Sequence, residues 1–106
     1  MSNRDAFTAI ADPTRREILE LLRDRQALAA GEIAMHFSSA SRPGISRHLR
    51  VLRECGVLYC NRHGKEQIYS VKPEPLTAIR DGFLAGFATM QTRSLKALRR
   101  RAEGAK

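Results

Sequence analysis

A stretch of basic and hydroxyl side chains between residues 41 and 53 has the residue types that bind nucleic acid. Its apolar residues recur at i, i+4 and i+7, which places Ile45, Leu49 and Leu52 on one face of a helix. The other face holds no acidic residue and consists of Arg42, Ser46, Arg47, His48, Arg50 and Arg53. Guanidinium groups pair with phosphate oxygens or with the N7/O6 edge of guanine. The pattern favours a helix that lies in a nucleic-acid groove over an ordinary core helix with a solvated basic face.

A second basic cluster lies at the tip of a predicted β-hairpin. Residues 57–62 and 65–72 are short runs enriched in Val, Ile and Tyr, and Gly64 between them suits a turn that needs a positive φ. The tip carries Arg62, His63 and Lys65, side-chain types that contact phosphate. The alternative for these three side chains is a solvated hairpin tip.

The elements that must hold these clusters can be placed from their end signals. Asp12 is a good N-cap and Pro13 suits the first helical position, so a helix is expected to begin there. A short helix over about 31–37 follows, and Ser41 is expected to cap the basic helix. Gly56 comes directly after the basic helix, as a C-terminal glycine cap should.

The C-terminal part of the chain predicts one long amphipathic helix over about residues 75–101. Glu74 can cap this helix, and its apolar positions form a nearly continuous stripe, namely Ile79, Phe83, Phe87, Met90, Leu95 and Leu98. A helix this long cannot bury its full face against so small a core. Part of the stripe is therefore expected to contact a second copy of the chain.

The composition limits the size of the fold and the kind of partner. The 106 residues fit one domain, 1–106, with its core at about 7–72. Lys and Arg number 19 against 11 Asp and Glu, and the resulting charge of +8 favours a polyanion, nucleic acid ahead of an anionic membrane. Since neither a signal peptide nor a bilayer-spanning apolar run is present, we expect a cytoplasmic protein without a membrane partner.

Cysteine and histidine are too sparse for a metal centre or a disulfide scaffold. Cys55 and Cys60 form one candidate redox pair, whose disulfide would need Cα atoms roughly 4.4–6.8 Å apart; a free thiol acting as a small hydrophobe is the alternative. From Leu76 onward there is no His or Cys, and structural zinc needs about four N or S ligands, so we expect no metal and no cofactor. Without a nucleophile elbow, a phosphate-binding glycine loop or a carboxylate pair, we also expect no enzyme.

Three segments resemble the ArsR/SmtB family of bacterial repressors, in that family's order and spacing. Residues 11–22 resemble its opening motif, residues 31–34 its first motif helix, and residues 46–58 its recognition helix and the entry to its wing. Segments 41–49 and 61–69 are similar to the metal-independent autorepressor branch. Where that branch often carries a Trp, this chain has none.

The resemblance implies a winged helix-turn-helix, mainly α, with five helices and two strands that form a small hairpin wing. It implies a homodimeric repressor of its own operon, joined through the first and last helices by Phe7, Ile10, Ile79, Phe83, Phe87 and Met90. Each recognition helix, 42–54, would enter a major groove of a palindromic operator in double-stranded DNA. Each wing, 57–72, would reach the flanking backbone or minor groove.

A helix-turn-helix places the first residues of its second helix against base edges and fixes its register by phosphate contacts. We therefore expect base reading by Arg42, Ser46, Arg47 and His48. Phosphate or groove contacts are expected from Ser41, Arg50, Arg62, His63 and Lys65. For His48, packing or an internal hydrogen bond remains the alternative.

Two other functions remain open, namely a thiol- or arsenite-responsive repressor that uses Cys55 and Cys60, and a winged-helix protein-interaction module. The acid-free basic face argues against a protein partner, and the lack of interleaved aromatic residues argues against single-stranded RNA. A small-molecule or redox effector fits the repressor, but the residues do not identify one. Nor do they separate repression from activation.

Overall fold

The computed structural model describes residues 4–39, 42–90 and 93–104. By compactness the chain divides into two bodies, one that ends at Leu76 and one that begins at Thr77. Within the described residues, no helix combines the length and apolar character that crossing a bilayer requires.

The described residues of the first body form four helices and a three-stranded sheet, and a fifth helix begins at its end. The helices are α1 (Ala6–Ala9), α2 (Pro13–Arg25), α3 (Ala30–Met35) and α4 (Ile45–Glu54), the last preceded by a 3-10 turn at Arg42–Gly44. The strands are β1 (Ala27–Ala29), β2 (Leu58–His63) and β3 (Glu66–Val71), and α5 (Glu74–Ile79) follows them. This order confirms the predicted winged helix-turn-helix, in which α3 and α4 form the motif and β2 and β3 form the wing.

Helix α2 begins at the predicted cap, whereas α3 begins with a capping contact that was not predicted. Asp12 caps α2, since its Oδ1 accepts from the backbone N–H groups of Thr14 at 2.8 Å and Arg15 at 3.1 Å. Helix α3 has no capping side chain of its own at Ala29. Instead, Glu32 Oε1 reaches back and accepts from the Ala29 N–H at 2.9 Å.

The sheet has one strand more than the two that were predicted. Its order is β1-β3-β2, with antiparallel pairing throughout, and Leu28 of β1 and Cys60 of β2 both face Tyr69 of the central strand. The sequence pattern missed β1 because three residues are too few to show a period, and Ala is a poor strand former. The turn prediction is confirmed, since Gly64 has a φ of 64°.

The core lies where α2, α3 and α4 meet the sheet. Its largest fully buried side chains come from these three helices and from the entry to the wing: Ile18, Leu22, Ile33, Ile45, Leu49, Leu52 and Val57. The predicted stripe of α4 is thereby confirmed as its buried face. Burial of one such side chain contributes on the order of 1.5–3 kcal/mol, so the stripe fixes which face of α4 remains outside.

In the second body, the described residues form several helical segments where one long helix was predicted. Helix α5 continues into a π-turn at Arg80–Leu84, then α6 (Ala85–Ala88) ends in a turn at residues 89–90, and α7 spans Arg93–Gly104. Glycine lowers helix propensity by about 1 kcal/mol relative to Ala, and Gly82 lies within the π-turn. Single π-turns inside helices insert one extra residue per turn, which rotates the apolar stripe relative to a regular helix.

Candidate nucleic-acid interface

Helix α4 is anchored at its C-terminal end by a glycine cap. Gly56 has a φ of 76°, and its N–H donates to the Arg53 carbonyl at 3.0 Å. The Val57 N–H donates to the Leu52 carbonyl at 3.3 Å, which completes a Schellman motif. Because Val57 is buried directly afterwards, the chain turns from α4 into the wing at a fixed angle.

The outer face of α4, together with the 3-10 turn that precedes it, is a row of exposed polar residues, most of which are arginines. Four of the predicted DNA-contacting residues lie on it and are exposed: Arg42, Ser46, Arg47 and Arg50. Arg53 continues the row. Ser41 lies outside the described residues. We call this row the arginine face.

Arg42 is attached to the preceding helix of the motif. Its Nε donates to the Ala34 carbonyl at 3.3 Å, and its backbone N–H donates to the Ser38 carbonyl at 3.1 Å. These bonds hold the 3-10 turn against α3. The two motif helices are thus joined by polar contacts as well as by their shared core.

His48 differs from its neighbours because it lies in a network of internal contacts, with its side chain only 21% exposed. Its Nδ1 is 3.5 Å from Arg15 Nη1, and its Nε2 is 4.0 Å from Asp12 Oδ1. Arg15 also donates from Nε to the Ala9 carbonyl at 3.2 Å and from Nη2 to the Thr8 carbonyl at 2.8 Å. The internal contact that was the alternative for His48 is present; its contact with DNA remains a prediction.

Beside the arginine face lies a surface depression of about 360 Å³. The residues that line it include this network: Arg4, Asp12, Arg15, Gly44, Arg47, His48 and Val51. Arg4 also pairs with Glu54 of α4, with Nε to Oε1 at 3.1 Å. Sequence reasoning did not identify Arg4, Asp12 or Arg15 as partners of the recognition helix. The only local signal is an arginine in the first turn of α2, where a cation is unfavourable unless it has a partner elsewhere.

The pKa of Asp12 lies below its ordinary value of 3.8. Burial by itself would raise this pKa, but the Arg15 N–H, the charge of His48, the Thr14 N–H and the charge of Arg15 together lower it. Because the pKa is lowered in the folded state, the ionised carboxylate stabilises the fold at pH values above the ordinary pKa of 3.8. This contribution is lost as the pH falls through the folded-state pKa.

An Asp12→Asn variant tests whether the charge of Asp12 stabilises the folded protein. Asparagine keeps an oxygen that can cap α2, so we expect a loss of about 1 kcal/mol or less in the free energy of unfolding at pH 7. Urea unfolding at pH 7 and pH 3 should show the difference from the wild type shrinking at pH 3, where the wild-type carboxylate is being protonated. A difference of equal size at both pH values would contradict the charge contribution.

The wing presents its basic tip residues on different faces of the hairpin. Arg62 is on the same face as the buried Leu58 because successive side chains alternate, and His63 is on the opposite face. Arg62 Nε donates to the Gly64 carbonyl at 3.2 Å, and His63 and Lys65 are exposed. The three predicted wing contacts thus lie together at the tip, with Arg62 fixed to the turn.

The two cysteines are free and have different surroundings. Cys55 is buried, and burial raises the pKa of its thiol despite the nearby charges of Arg15 and Arg4. Cys60 is partly buried and its Sγ donates to Gln67 Oε1 at 2.8 Å. Thiolate is the reactive form, so a raised pKa disfavours reactivity at Cys55. A redox role for the pair remains a prediction.

The predicted dimer contacts differ in their exposure. Phe7, Phe83 and Phe87 are exposed, Ile10 and Met90 are partly buried, and Ile79 is buried. The rings of Phe83 and Phe87 lie with centroids 5.0 Å apart, at an angle of 59°. Among the described residues, no three His, Cys, Asp or Glu side chains are grouped as metal ligands would be.

The helix-turn-helix, the wing and the arginine face define a winged-helix regulator. Residues 12–59 match the model of the arsR family of bacterial regulatory proteins. The transcriptional repressor SdpR of Bacillus subtilis (strain 168) is 45% identical over 67 residues, which cover 63% of this chain and 72% of SdpR.

Solved structures agree with this relationship. An ArsR-like transcriptional regulator from Rhodococcus sp. RHA1 has a TM-score of 0.69 and 31% identity, over 92% of this chain and 87% of that one. A crystal structure described as a possible transcriptional regulator for arsenical resistance has the same TM-score and 30% identity, over 92% and 97%. The chain belongs to the arsR family and is a transcriptional regulator rather than an enzyme.

Proposed function

We propose that this chain is a homodimeric repressor of its own operon that binds a palindromic operator in double-stranded DNA. The observation that carries the proposal is the arginine face, which is exposed on one side of α4 while Ile45, Leu49 and Leu52 are buried on the other. An α-helix fits the major groove of B-DNA, and arginine pairs bidentately with guanine there. Such a repressor works where its promoter is, in the cytoplasm.

Within this proposal, the first turns of the recognition helix read bases and the other basic residues bind phosphate. Ser46 and Arg47 lie at the N-terminal end of α4, the end that a helix-turn-helix directs at base edges. Arg42 precedes them and Arg50 lies one turn further on. Arg62, His63 and Lys65 of the wing then reach the flanking backbone or minor groove.

Dimerisation is proposed to bury the exposed aromatic residues of the second body and, separately, Phe7 of α1. Phe83 is 56% exposed and Phe87 is 53% exposed, and they form one ring pair on the same surface. Exposed apolar groups that lie together, rather than singly, mark interaction surfaces. A two-fold dimer would place two copies of α4 about 34–36 Å apart, so that each enters a successive major groove on one side of the duplex.

The test is binding to the DNA upstream of the chain's own gene, measured by fluorescence anisotropy at physiological salt. We expect this duplex to compete at least about 1,000-fold better than random duplex, in line with specific DNA-binding proteins. RNA of the same sequence should compete no better than random DNA. Two protomers per site and a footprint with two-fold symmetry would support the operator model. Equal binding to all duplexes would refute it.

The alternative of a thiol- or arsenite-responsive repressor depends on Cys55 and Cys60. The buried position of Cys55 and the bond from Cys60 to Gln67 support a packing role instead. We therefore expect Cys60→Ser to bind the upstream duplex within about twofold of the wild type, since serine keeps a donor for Gln67. Adding oxidant or arsenite should leave both proteins bound. Release of the wild type alone would establish thiol sensing.

The protein-interaction alternative has a separate readout. A module that binds another protein through α4 would need acidic residues on that partner and would show no preference among duplexes. The anisotropy comparison above therefore separates the two functions.

A further inference from the structure

We propose that Arg15 is a positioning residue, which holds the first turns of the recognition helix against the end of α1 through His48 and does not itself contact DNA. This inference rests on the proposed DNA-binding function. It adds a residue outside the helix-turn-helix motif to the set that determines operator affinity.

The guanidinium of Arg15 uses donors on all three of its nitrogen atoms within the protein. Nε donates to the Ala9 carbonyl at 3.2 Å, Nη2 to the Thr8 carbonyl at 2.8 Å, and Nη1 approaches His48 Nδ1 at 3.5 Å. The two carbonyls belong to the last turn of α1, where a helix leaves its carbonyl groups without intrahelical partners. A cation that donates there is favoured by hydrogen bonding to these carbonyl groups.

The position of Arg15 is also fixed through its backbone. Its N–H donates to Asp12 Oδ1 at 3.1 Å, in the cap that begins α2. The planar fork of an arginine side chain is preorganised, so three partners in different directions hold it in one orientation. The end of α1, the start of α2 and α4 are therefore joined at a single side chain.

The contact with His48 determines how the imidazole acts. A guanidinium only donates, so the contact with Arg15 is a hydrogen bond when the His48 ring is neutral, with Nδ1 as the acceptor and the proton on Nε2. Nε2 lies 4.0 Å from Asp12 Oδ1, and the ring packs over Gly44, where an added Cβ would lie 3.7 Å from it. The ring thus spans from Arg15 to the beginning of α4, next to Arg47.

This arrangement has a consequence for operator binding. Base-reading side chains must be held within about 0.5 Å of the productive geometry, which requires support from residues behind them. Phe7 lies in α1, Ile10 is the C-terminal cap of that helix, and both belong to the proposed dimer contact, so the junction connects that contact to the arginine face. Arg15 would thereby help to set the spacing between the two recognition helices.

The test compares Arg15→Lys with the matched control Arg16→Lys. Lysine keeps the charge but cannot form the three-way contact, whereas Arg16 donates to one carbonyl, that of Ile10 at 2.8 Å, which lysine can replace. We expect Arg15→Lys to weaken binding to the upstream duplex by at least about 10-fold, with binding to random duplex and the salt slope unchanged. Arg16→Lys should bind within about twofold of the wild type.

A second pair of variants keeps the inference testable if Arg15→Lys is poorly folded. The amide oxygen of Asn approximates the position of Nδ1 and the amide of Gln that of Nε2. If His48 acts by accepting from Arg15, His48→Asn should retain more operator affinity than His48→Gln. In the wild type, ¹⁵N NMR should show the Nε2–H tautomer of His48, and Arg15→Lys should lose that signature.

The outcomes distinguish failure of the proposed DNA-binding function from failure of the positioning role of Arg15. If the wild type prefers no duplex, the proposed function fails. If the wild type is specific and Arg15→Lys binds as it does, or loses about one unit of salt slope, the positioning role is wrong. Better binding by His48→Gln than by His48→Asn would likewise overturn it, because it would indicate a contact through Nε2.

Discussion

An Arg47→Ala variant is expected to lose about 1–3 kcal/mol of specific operator binding, or roughly 5- to 150-fold in affinity. Arg47 is exposed near the N-terminal end of α4, beside the depression that His48 and Arg15 also line. A bidentate contact to guanine is lost with the guanidinium, so the preference for one base pair should relax. Anisotropy titrations with the upstream duplex and single-base variants of it measure both effects.

The comparison for this prediction is Lys65→Ala at the tip of the wing. Lys65 is exposed in the turn, and a phosphate contact there would affect all sequences alike. Its loss should therefore flatten the dependence of log affinity on log salt by about one unit while leaving base preference intact. If both variants bind the operator as the wild type does across a salt titration, the assignment of base reading and phosphate contact is incorrect.

Replacing Phe83 and Phe87 together by serine is expected to convert the protein to monomers. In a symmetric dimer each substitution acts twice, so four aromatic rings leave the proposed interface. Burial of one phenylalanine contributes on the order of 1.5–3 kcal/mol, which predicts a rise of at least about 1,000-fold in the dissociation constant of the dimer. Sedimentation at micromolar concentration measures the mass, and operator affinity should fall with it.

The matched control is Met35→Ser, which removes a more exposed apolar side chain, at 73%, from α3. This variant should keep the mass of the wild type, because its surface is not part of the proposed interface. Monomeric wild-type protein at micromolar concentration would refute the dimer. A double variant that is still dimeric would place the interface elsewhere.

Much of the local structure could be predicted from the sequence because its signals act within one or two turns. Asp12 with Pro13 marks the start of α2, and Gly56 marks the end of α4, since capping depends on neighbouring residues alone. The apolar spacing of Ile45 and Leu49 likewise determines the buried face of α4, and hence the side on which the arginine face lies.

Elements whose formation depends on distant partners could not be predicted in the same way. Strand β1, Ala27–Ala29, exists because its backbone pairs with β3, and none of its side chains is of a type that predicts a strand. In the second body, the apolar period of a long helix gives no warning of a π-turn at Arg80–Leu84, because the period averages over several turns.

Arg15 shows most clearly which properties follow from the sequence and which depend on tertiary packing. Its charge, its place in the first turn of α2 and the cap beneath it follow from the sequence. Only the packing of α1 and α4 against α2 decides that its donors meet the carbonyls of Thr8 and Ala9 and the ring of His48. Residue type determines which bonds a side chain can form, but the direction of a partner on another helix exists only once the helices are packed.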